Sequence, residues 1–206
     1  MFITTCQDAN NQVFPLAYGW GDVECEDSWT WFLMELKKAI GCHVNCIIIS
    51  NHSPAIKVAM AKEYPEITHG LCGFYMNMNL KNIFKSHIVC NLFREDSRAH
   101  RESEFLEKMQ EFSLVNRRSY EYLMRVGPRR WSHAYCPNRR YRGMTSNIVK
   151  CMNKCLRYAR QLPITTLVEY IRDMMQKWFP ECRDATSKNA TQLSQWAIDK
   201  LTTQKN

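Results

Sequence analysis

The sequence lacks any hydrophobic run long enough to span a membrane. A membrane helix needs about 20 apolar residues, whereas the longest strand-like apolar run covers residues 46–49. Residues 1–5 lack the basic start and the long apolar stretch of a secretory signal. Internal repeats and low-complexity linkers are also missing. These absences argue against a membrane protein and against a secreted one.

The sequence also lacks the cysteine spacing of a structural zinc site. It has 10 cysteines, and the closest approaches to a ligand pattern are Cys42/Cys46, Cys151/Cys155 and His69/Cys72. None of these pairs completes a two-by-two set with the usual spacing. Without a secretory signal we expect a reducing compartment, in which the cysteines serve as small buried apolar groups. Zinc binding is the weaker alternative.

Basic residues are missing from the start of the chain, and acidic residues are scarce in its second half. Residues 1–36 carry six acids and no base, whereas residues 117–160 carry twelve bases and one acid, within a net charge of +8. Such asymmetry is typical of a polyanion-binding face, or of a solvated helical surface that happens to be basic. Aromatic residues interleaved with the arginines favour nucleic acid. The candidate DNA-binding residues are Arg129, Arg130, Arg139, Arg140, Arg142 and Lys154.

What is present is enough for a folded domain, since 45% of the 206 residues are apolar and 12% are aromatic. Residues 2–8 and 13–19 are rich in β-formers, and Asn10-Asn11 between them suits a tight turn, so we expect a hairpin. Asp27-Ser28 is expected to cap a helix that ends at Gly41.

Strand and helix patterns then alternate. We expect strands at 46–50 and 68–72 and helices at 54–64 and 75–84, an order that favours parallel pairing. His52 and His69 are interpreted as polar residues at strand ends rather than metal ligands. After residue 94 only helical patterns follow: 105–112, 120–124, 145–161, a helix after Pro163 that is strong up to Pro180, and a short one near 193–201. Residues 127–140 are expected to form a loop.

Several stretches, taken in order, resemble the transposases of plant Mutator-like elements. Gln7 to Ala17 resembles the hairpin of that family, and Asp27 to Phe32 resembles its next helix. Further matching segments are Ile48-Ile49-Ser50 through Ala59, Pro65 and His69 to Cys72, then Tyr120-Glu121-Tyr122-Leu123, Arg130-Trp131, Ala134-Tyr135, Met144 to Ile148 and Leu162-Pro163-Ile164. The resemblance extends from residue 4 to about residue 180 and reaches the far-red-response transcription regulators of plants.

The resemblance implies an α/β fold of the ribonuclease-H-like type, incomplete because it lacks the first, central strand. It implies a truncated core over residues 1–93, a helical insertion over 94–144, helices completing the core over 145–180 and a polar tail over 181–206. Loss of the central strand would remove backbone partners from both of its neighbours. We therefore expect a small sheet that is split or re-paired at that place, with the hairpin intact.

The resemblance also implies three catalytic acids, two Asp and one Glu, which hold Mg²⁺ or Mn²⁺ during DNA strand cleavage and transfer. The first Asp belongs on a strand before the hairpin, where this sequence begins. Asn51 stands at the second Asp position, and Lys150 stands at the Glu position. The Cys-x-x-His pair of the family reads Cys72 and Tyr75 here. We therefore expect no intact catalytic site, no enzymatic activity and no bound cofactor.

The sequence thus predicts a degenerate transposase fragment that keeps non-specific DNA binding and resides in the nucleus. One alternative is a domesticated, non-enzymatic DNA-binding or regulatory module related to the far-red-response regulators. Another is a piece of a longer active enzyme, although a preceding segment could supply only the first Asp and could not replace Asn51 or Lys150. The DNA sequence recognised and the oligomeric state stay open.

Overall fold

The computed structural model describes residues 1–7, 13–43, 45–138, 147–187 and 194–203. The chain forms two compact units, residues 1–20 with 147–206 and residues 21–146. Strands and helices are both present, so the fold is mixed α/β. None of the described helices is long and apolar enough to cross a membrane.

The first unit begins with the expected hairpin. Strand β1 (Phe2–Gln7) pairs antiparallel with β2 (Val13–Gly19), and the register shifts between Thr4 and Thr5. Pro15 lies opposite Thr5, next to that shift, and both strands of a two-stranded sheet are edges, which is where a residue without an amide hydrogen is tolerated. The prediction of the hairpin is confirmed, and its Asn10-Asn11 turn lies outside the described residues.

Three helices follow in the same unit: α8 (Asn147–Cys155), α9 (Ile164–Ser187) and α10 (Gln195–Thr203). Met152, Leu156 and Ile171 form their core with Ala159 and Leu167. The hairpin packs on that core, and the Tyr18 hydroxyl donates to the Met152 sulfur over 3.1 Å.

Two helical predictions in this unit are wrong in detail. The continuous helix expected over 145–161 ends at Cys155 and is followed by a 3₁₀ turn, Ala159–Gln161. Helix α9 continues through Pro180 instead of ending there. Proline removes one intrahelical hydrogen bond, and Pro180 lies on the exposed side of the helix, where water can satisfy the freed carbonyl.

The second unit begins with α1 (Glu26–Ile40), which packs on α2 (Pro54–Glu63) through Phe32, Leu33 and Leu36. The expected cap at Asp27-Ser28 is wrong, because Cys25 is the N-cap residue and Asp27 and Ser28 lie in the first turn of the helix. The negative charge of Asp27 there stabilises the positive end of the helix dipole. The helix ends at Gly41 as predicted, with φ 74°, a conformation that glycine adopts without strain.

Strands β3 (Ile47–Ser50) and β4 (Thr68–Leu71) pair in parallel, with Ile48 opposite His69 and Ser50 opposite Leu71. Helix α3 (Gly73–Phe84) follows β4 directly. The parallel pairing is confirmed, and the described residues form two two-stranded sheets, β1–β2 in the first unit and β3–β4 in the second. All four β3 residues are only half-buried, because among the described residues the strand has one neighbour instead of two.

After β4, the described part of this unit is helical: α4 (His87–Asp96), α5 (Glu102–Val115), α6 (Arg117–Val126) and α7 (Pro128–Trp131). Their core is aromatic, with the Trp131 ring 5.4 Å from that of Phe93 and 5.5 Å from that of Phe105. Met76 and Leu80 of α3 join the same core. Residues 128–131 form a short helix rather than a loop, because proline suits the first helical position.

The cysteines depart from their predicted role. All ten are free thiols, but only Cys72 and Cys90 are buried. Cys25, Cys46 and Cys151 are among the exposed ones. Cys25 is the N-cap residue of α1, Cys46 directly precedes β3, and Cys151 lies on the exposed face of α8. Burial therefore does not account for most of the cysteine content.

Candidate functional site

The candidate site lies at the carboxyl edge of the parallel strands, where open α/β sheets place their ligands. Asn51 directly follows β3 and is half-buried. Its Oδ1 accepts a hydrogen bond from the backbone amide of Ser53 at 3.2 Å, and Ser53 is the N-cap residue of α2. The amide side chain therefore stabilises the turn that leads from the strand into the helix.

A chain of hydrogen bonds starts beside Asn51. The Ser50 hydroxyl donates to the Asn51 carbonyl oxygen at 2.8 Å and lies 2.7 Å from His69 Nε2. Since a hydroxyl has one hydrogen to donate, His69 Nε2 must be the donor to Ser50. Nδ1 of the same ring is then the acceptor, which fixes the neutral tautomer of His69.

Arg130 completes this chain from the other side. Its Nη2 lies 3.4 Å from His69 Nδ1, and its Nε donates to the His69 carbonyl oxygen at 3.4 Å. The arginine is positioned by its neighbour Trp131, which is fully buried and donates its indole hydrogen to the Leu123 carbonyl at 3.1 Å. Burial lowers the pKa of Arg130, although a guanidinium keeps its charge at any physiological pH.

The charged side chains that act on this edge are positive. Burial, followed by the charges of Arg130, His52 and Lys57, lowers the pKa of His69 to about 4. The pKa of His52 is lowered by burial and then by Arg130 and Lys57. His52 is held by Asn79, whose Nδ2 lies 3.2 Å from His52 Nδ1. Both imidazoles are therefore neutral near pH 7, and the arginine and the lysine supply the charge.

The family's Cys-x-x-His positions are structural here. Cys72 is the buried N-cap of α3, and its amide donates to the Ser50 carbonyl at 2.9 Å. Tyr75 lies in the first turn of the helix, with its ring edge-on to Phe74 at 5.6 Å. In the part of the chain that the structure describes, no group of three or more His, Cys, Asp or Glu side chains could hold a metal ion.

The remaining candidate residues are distributed over both units. Arg129 is exposed on α7, whereas Lys150 is half-buried and Lys154 exposed on α8. Arg139, Arg140 and Arg142 lie outside the described residues. Lys150 and Asn51 belong to different compact units.

Sequence reasoning missed Lys57, Asn79 and the contact between Arg130 and His69. A signal for Lys57 was present, because a helix that directly follows a parallel strand places its first turn near the end of that strand. The arginine contact joins residues 61 positions apart. No local pattern in the sequence indicates it.

Comparison with protein families gives one match, to the MULE transposase domain, over residues 1–79. The segment contains the hairpin, α1, the parallel strands and most of α3, and with them Asn51, His69, Cys72 and Tyr75. No curated protein matches the chain. Residues 1–79 are therefore similar to the MULE transposase domain, in agreement with the resemblance to Mutator-like transposases.

Proposed function

We propose that this protein is a catalytically degenerate Mutator-like transposase fragment that binds DNA without cutting it. The observation that carries the proposal is the pair of substitutions at acid positions, Asn51 for Asp and Lys150 for Glu. Strand cleavage and transfer by two metal ions requires several carboxylates converging on one point. An amide retains an oxygen but not the charge, and an ammonium group repels the metal.

The surroundings of Asn51 support the loss of metal binding. Its Oδ1 accepts a hydrogen bond from the Ser53 amide, so the side chain has a role in the turn. Arg130 and Lys57 exert their charges on the same edge. Two like charges about 4 Å apart repel by several kcal/mol in a partly buried setting, and a divalent cation beside an arginine meets twice that repulsion.

The finer fold assignment belongs to the same proposal. We take the hairpin, the β3–β4 pair and the helices after each strand as parts of a ribonuclease-H-like core, with the helical layer of α4 to α7 as its insertion. The parallel β3–β4 pair, with a helix after each strand, supports this assignment because strands that alternate with helices are typical of an α/β core. DNA as the ligand implies that the protein acts in the nucleus.

DNA binding is assigned to the basic side chains of residues 117–160. Arg118, Arg125, Arg129 and Lys154 are exposed, which suits phosphate contacts. Such contacts carry little sequence information and depend strongly on salt. We therefore propose non-specific binding to duplex DNA. Tyr120 and Leu123 pack in the helical core instead of contacting bases.

The test combines a cleavage assay with a binding assay on the same purified chain. With Mg²⁺ or Mn²⁺ and a labelled duplex, we expect binding at low salt and no cut or joined product. Asn51→Ala is the control for contamination, since a contaminating nuclease is unaffected by this substitution. Metal-dependent cleavage that disappears in Asn51→Ala would contradict the loss of catalysis, and absence of binding at low salt would contradict the DNA assignment.

A further inference from the structure

An open groove lies between α5 and α6 in the second unit, with a volume of about 680 Å³. Its lining includes Phe105 and Met109 from α5 and Tyr120 from α6, and Tyr135 closes it from the segment after α7. The rings of Phe105 and Tyr135 meet edge-on, with 5.1 Å between their centres. Most of the lining is therefore apolar or aromatic.

The two helices that form this groove also hold large apolar side chains in solvent. Leu106 and Met124 line the groove and are 57% and 42% exposed, and Leu114, near the end of α5, is 84% exposed. Exposed apolar side chains that cluster on a surface mark a place where another molecule binds. The groove is therefore suited to an apolar side chain of a partner.

The charged side chains of the groove are positive. Among the described residues that line it, Arg117 and Arg129 are charged and none is acidic. Arg117 is paired with Glu121 at 2.9 Å, whereas Arg129 is exposed and makes no ion pair within 4.0 Å in the described part of the chain. This charge favours an acidic partner. The phosphate backbone of duplex DNA matches the charge but not the apolar lining.

The same unit carries a segment with the complementary chemistry. Residues 22–27 include four acids and no base, and all six residues are exposed. Within the described ranges, none of these acids makes an ion pair within 4.0 Å. Val23 lies between Asp22 and Glu24 and is 65% exposed. The segment therefore presents an apolar side chain with an acid on either side.

We infer that the groove between α5 and α6 binds residues 22–27 of a second copy of this chain. Val23 of one copy contacts the apolar lining of the other, and the neighbouring acids pair with Arg129. Because the two surfaces differ, the contact joins the copies head to tail. The contact is partly ionic and exposed at its edges, so association weakens as salt rises. This inference goes beyond the proposed function, which concerns DNA.

Charge reversal on either surface tests the contact. Asp22→Lys with Glu24→Lys changes the acidic segment, and Arg129→Glu changes the groove. The matched controls reverse as many exposed charges at other places: Glu181→Lys with Asp184→Lys, and Lys62→Glu. The acidic-segment variant alters only exposed residues that precede α1, so it keeps the test valid if Arg129→Glu fails to fold.

The measurement is sedimentation equilibrium of the full chain at low salt, with a reductant because the thiols are free. The average mass of the parent and of both controls should rise with concentration. Each of the two surface variants should associate about tenfold more weakly or less, since like charges then face each other. An equal mixture of the two variants should regain association, because one copy keeps the groove and the other keeps the acidic segment.

The apolar part of the contact has its own test. Leu106→Asn places a polar group in the groove, and Ile88→Asn is the matched control, since Ile88 lies on α4 and is 62% exposed. Leu106→Asn should weaken association and Ile88→Asn should leave it unchanged. DNA affinity is measured on the same proteins, and the acidic-segment variant should bind duplex DNA at least as well as the parent.

The outcomes separate this contact from the proposed function. A parent that stays monomeric up to its solubility limit at low salt would overturn the inference, and so would a mixture that does not regain association. Variants that associate like the parent while Arg129→Glu loses DNA affinity would also overturn it and assign the surface to DNA. A parent that associates through the groove but binds no DNA would support the inference and contradict the proposed function.

Discussion

Arg130 contacts His69 across 61 positions of the sequence, with 3.4 Å between Nη2 of the arginine and Nδ1 of the histidine. Because a cation lies against Nδ1 and Nε2 donates to Ser50, the ring is held neutral. This contact joins the helical layer to β4. The candidate site therefore depends on the packing of the whole second unit.

The neutral state of His69 predicts a loss of stability in acid. Its pKa is about 4 in the folded protein against an ordinary 6.5, so the unfolded chain binds the proton first. The stabilisation is complete above pH 6.5 and is lost as the pH falls toward 4, by at most about 3 kcal/mol. Urea unfolding at a series of pH values should show this slope, and His69→Gln should reduce it. An equal slope in the variant would contradict the assignment.

Asp96 predicts the opposite trend at higher pH. It is buried at 1% exposure, its Oδ2 has no hydrogen-bond partner among the described residues, and burial raises its pKa to about 7. The folded state binds this proton more tightly than the unfolded state does, so the stabilisation is full below about pH 4 and is lost as the pH rises through 7.

Asp96→Asn should therefore melt at a higher temperature than the parent at pH 8, with the difference shrinking toward pH 5. The exposed Glu107→Gln is the matched control and should melt like the parent at both pH values, because Glu107 is not among the charges that shift the pKa of Asp96. If the two variants show the same melting temperatures at both pH values, burial of Asp96 is not the cause of the pH dependence.

The hydrogen bond that Asn51 accepts in the turn before α2 predicts different effects of two substitutions on stability. Asn51→Asp keeps an oxygen that can accept from the Ser53 amide, so its stability should stay close to that of the parent. Asn51→Ala removes the acceptor and should lower the free energy of unfolding by about 1 kcal/mol, as for other lost caps. Chemical denaturation of the three proteins measures the difference. Equal losses in both variants would argue against the turn role of Asn51.

The twelve bases of residues 117–160 predict that DNA binding depends steeply on salt. Replacing Arg139, Arg140 and Arg142 with alanine should make the slope of log affinity against log salt shallower by about 2 to 3, since each phosphate contact contributes about 0.9. The control removes three bases outside residues 117–160, namely Lys38, Lys62 and Lys81. Anisotropy measured between about 50 and 200 mM salt gives both slopes. An unchanged slope in the arginine variant would show that this stretch is only a solvated surface.

Local patterns predicted most of the elements because each pattern acts within a few residues. The apolar periodicity before Gly41, the Asn10-Asn11 turn signal and the alternation of strand and helix yielded the hairpin, α1 and the parallel pair. The predictions failed where two local preferences compete. The end of α9 is an example, since proline was expected to stop a helix that continues on its exposed side.

The sequence by itself determined that Asn stands at position 51 and Lys at position 150, where the resemblance implies acids, because residue type does not depend on the fold. Tertiary structure alone decided what surrounds Asn51. The position of Arg130 at that edge follows from the packing of α7 on β4 and on the Trp131 core. Contacts between residues 61 apart depend on the fold, and only the folded chain places the guanidinium of Arg130 against the ring of His69.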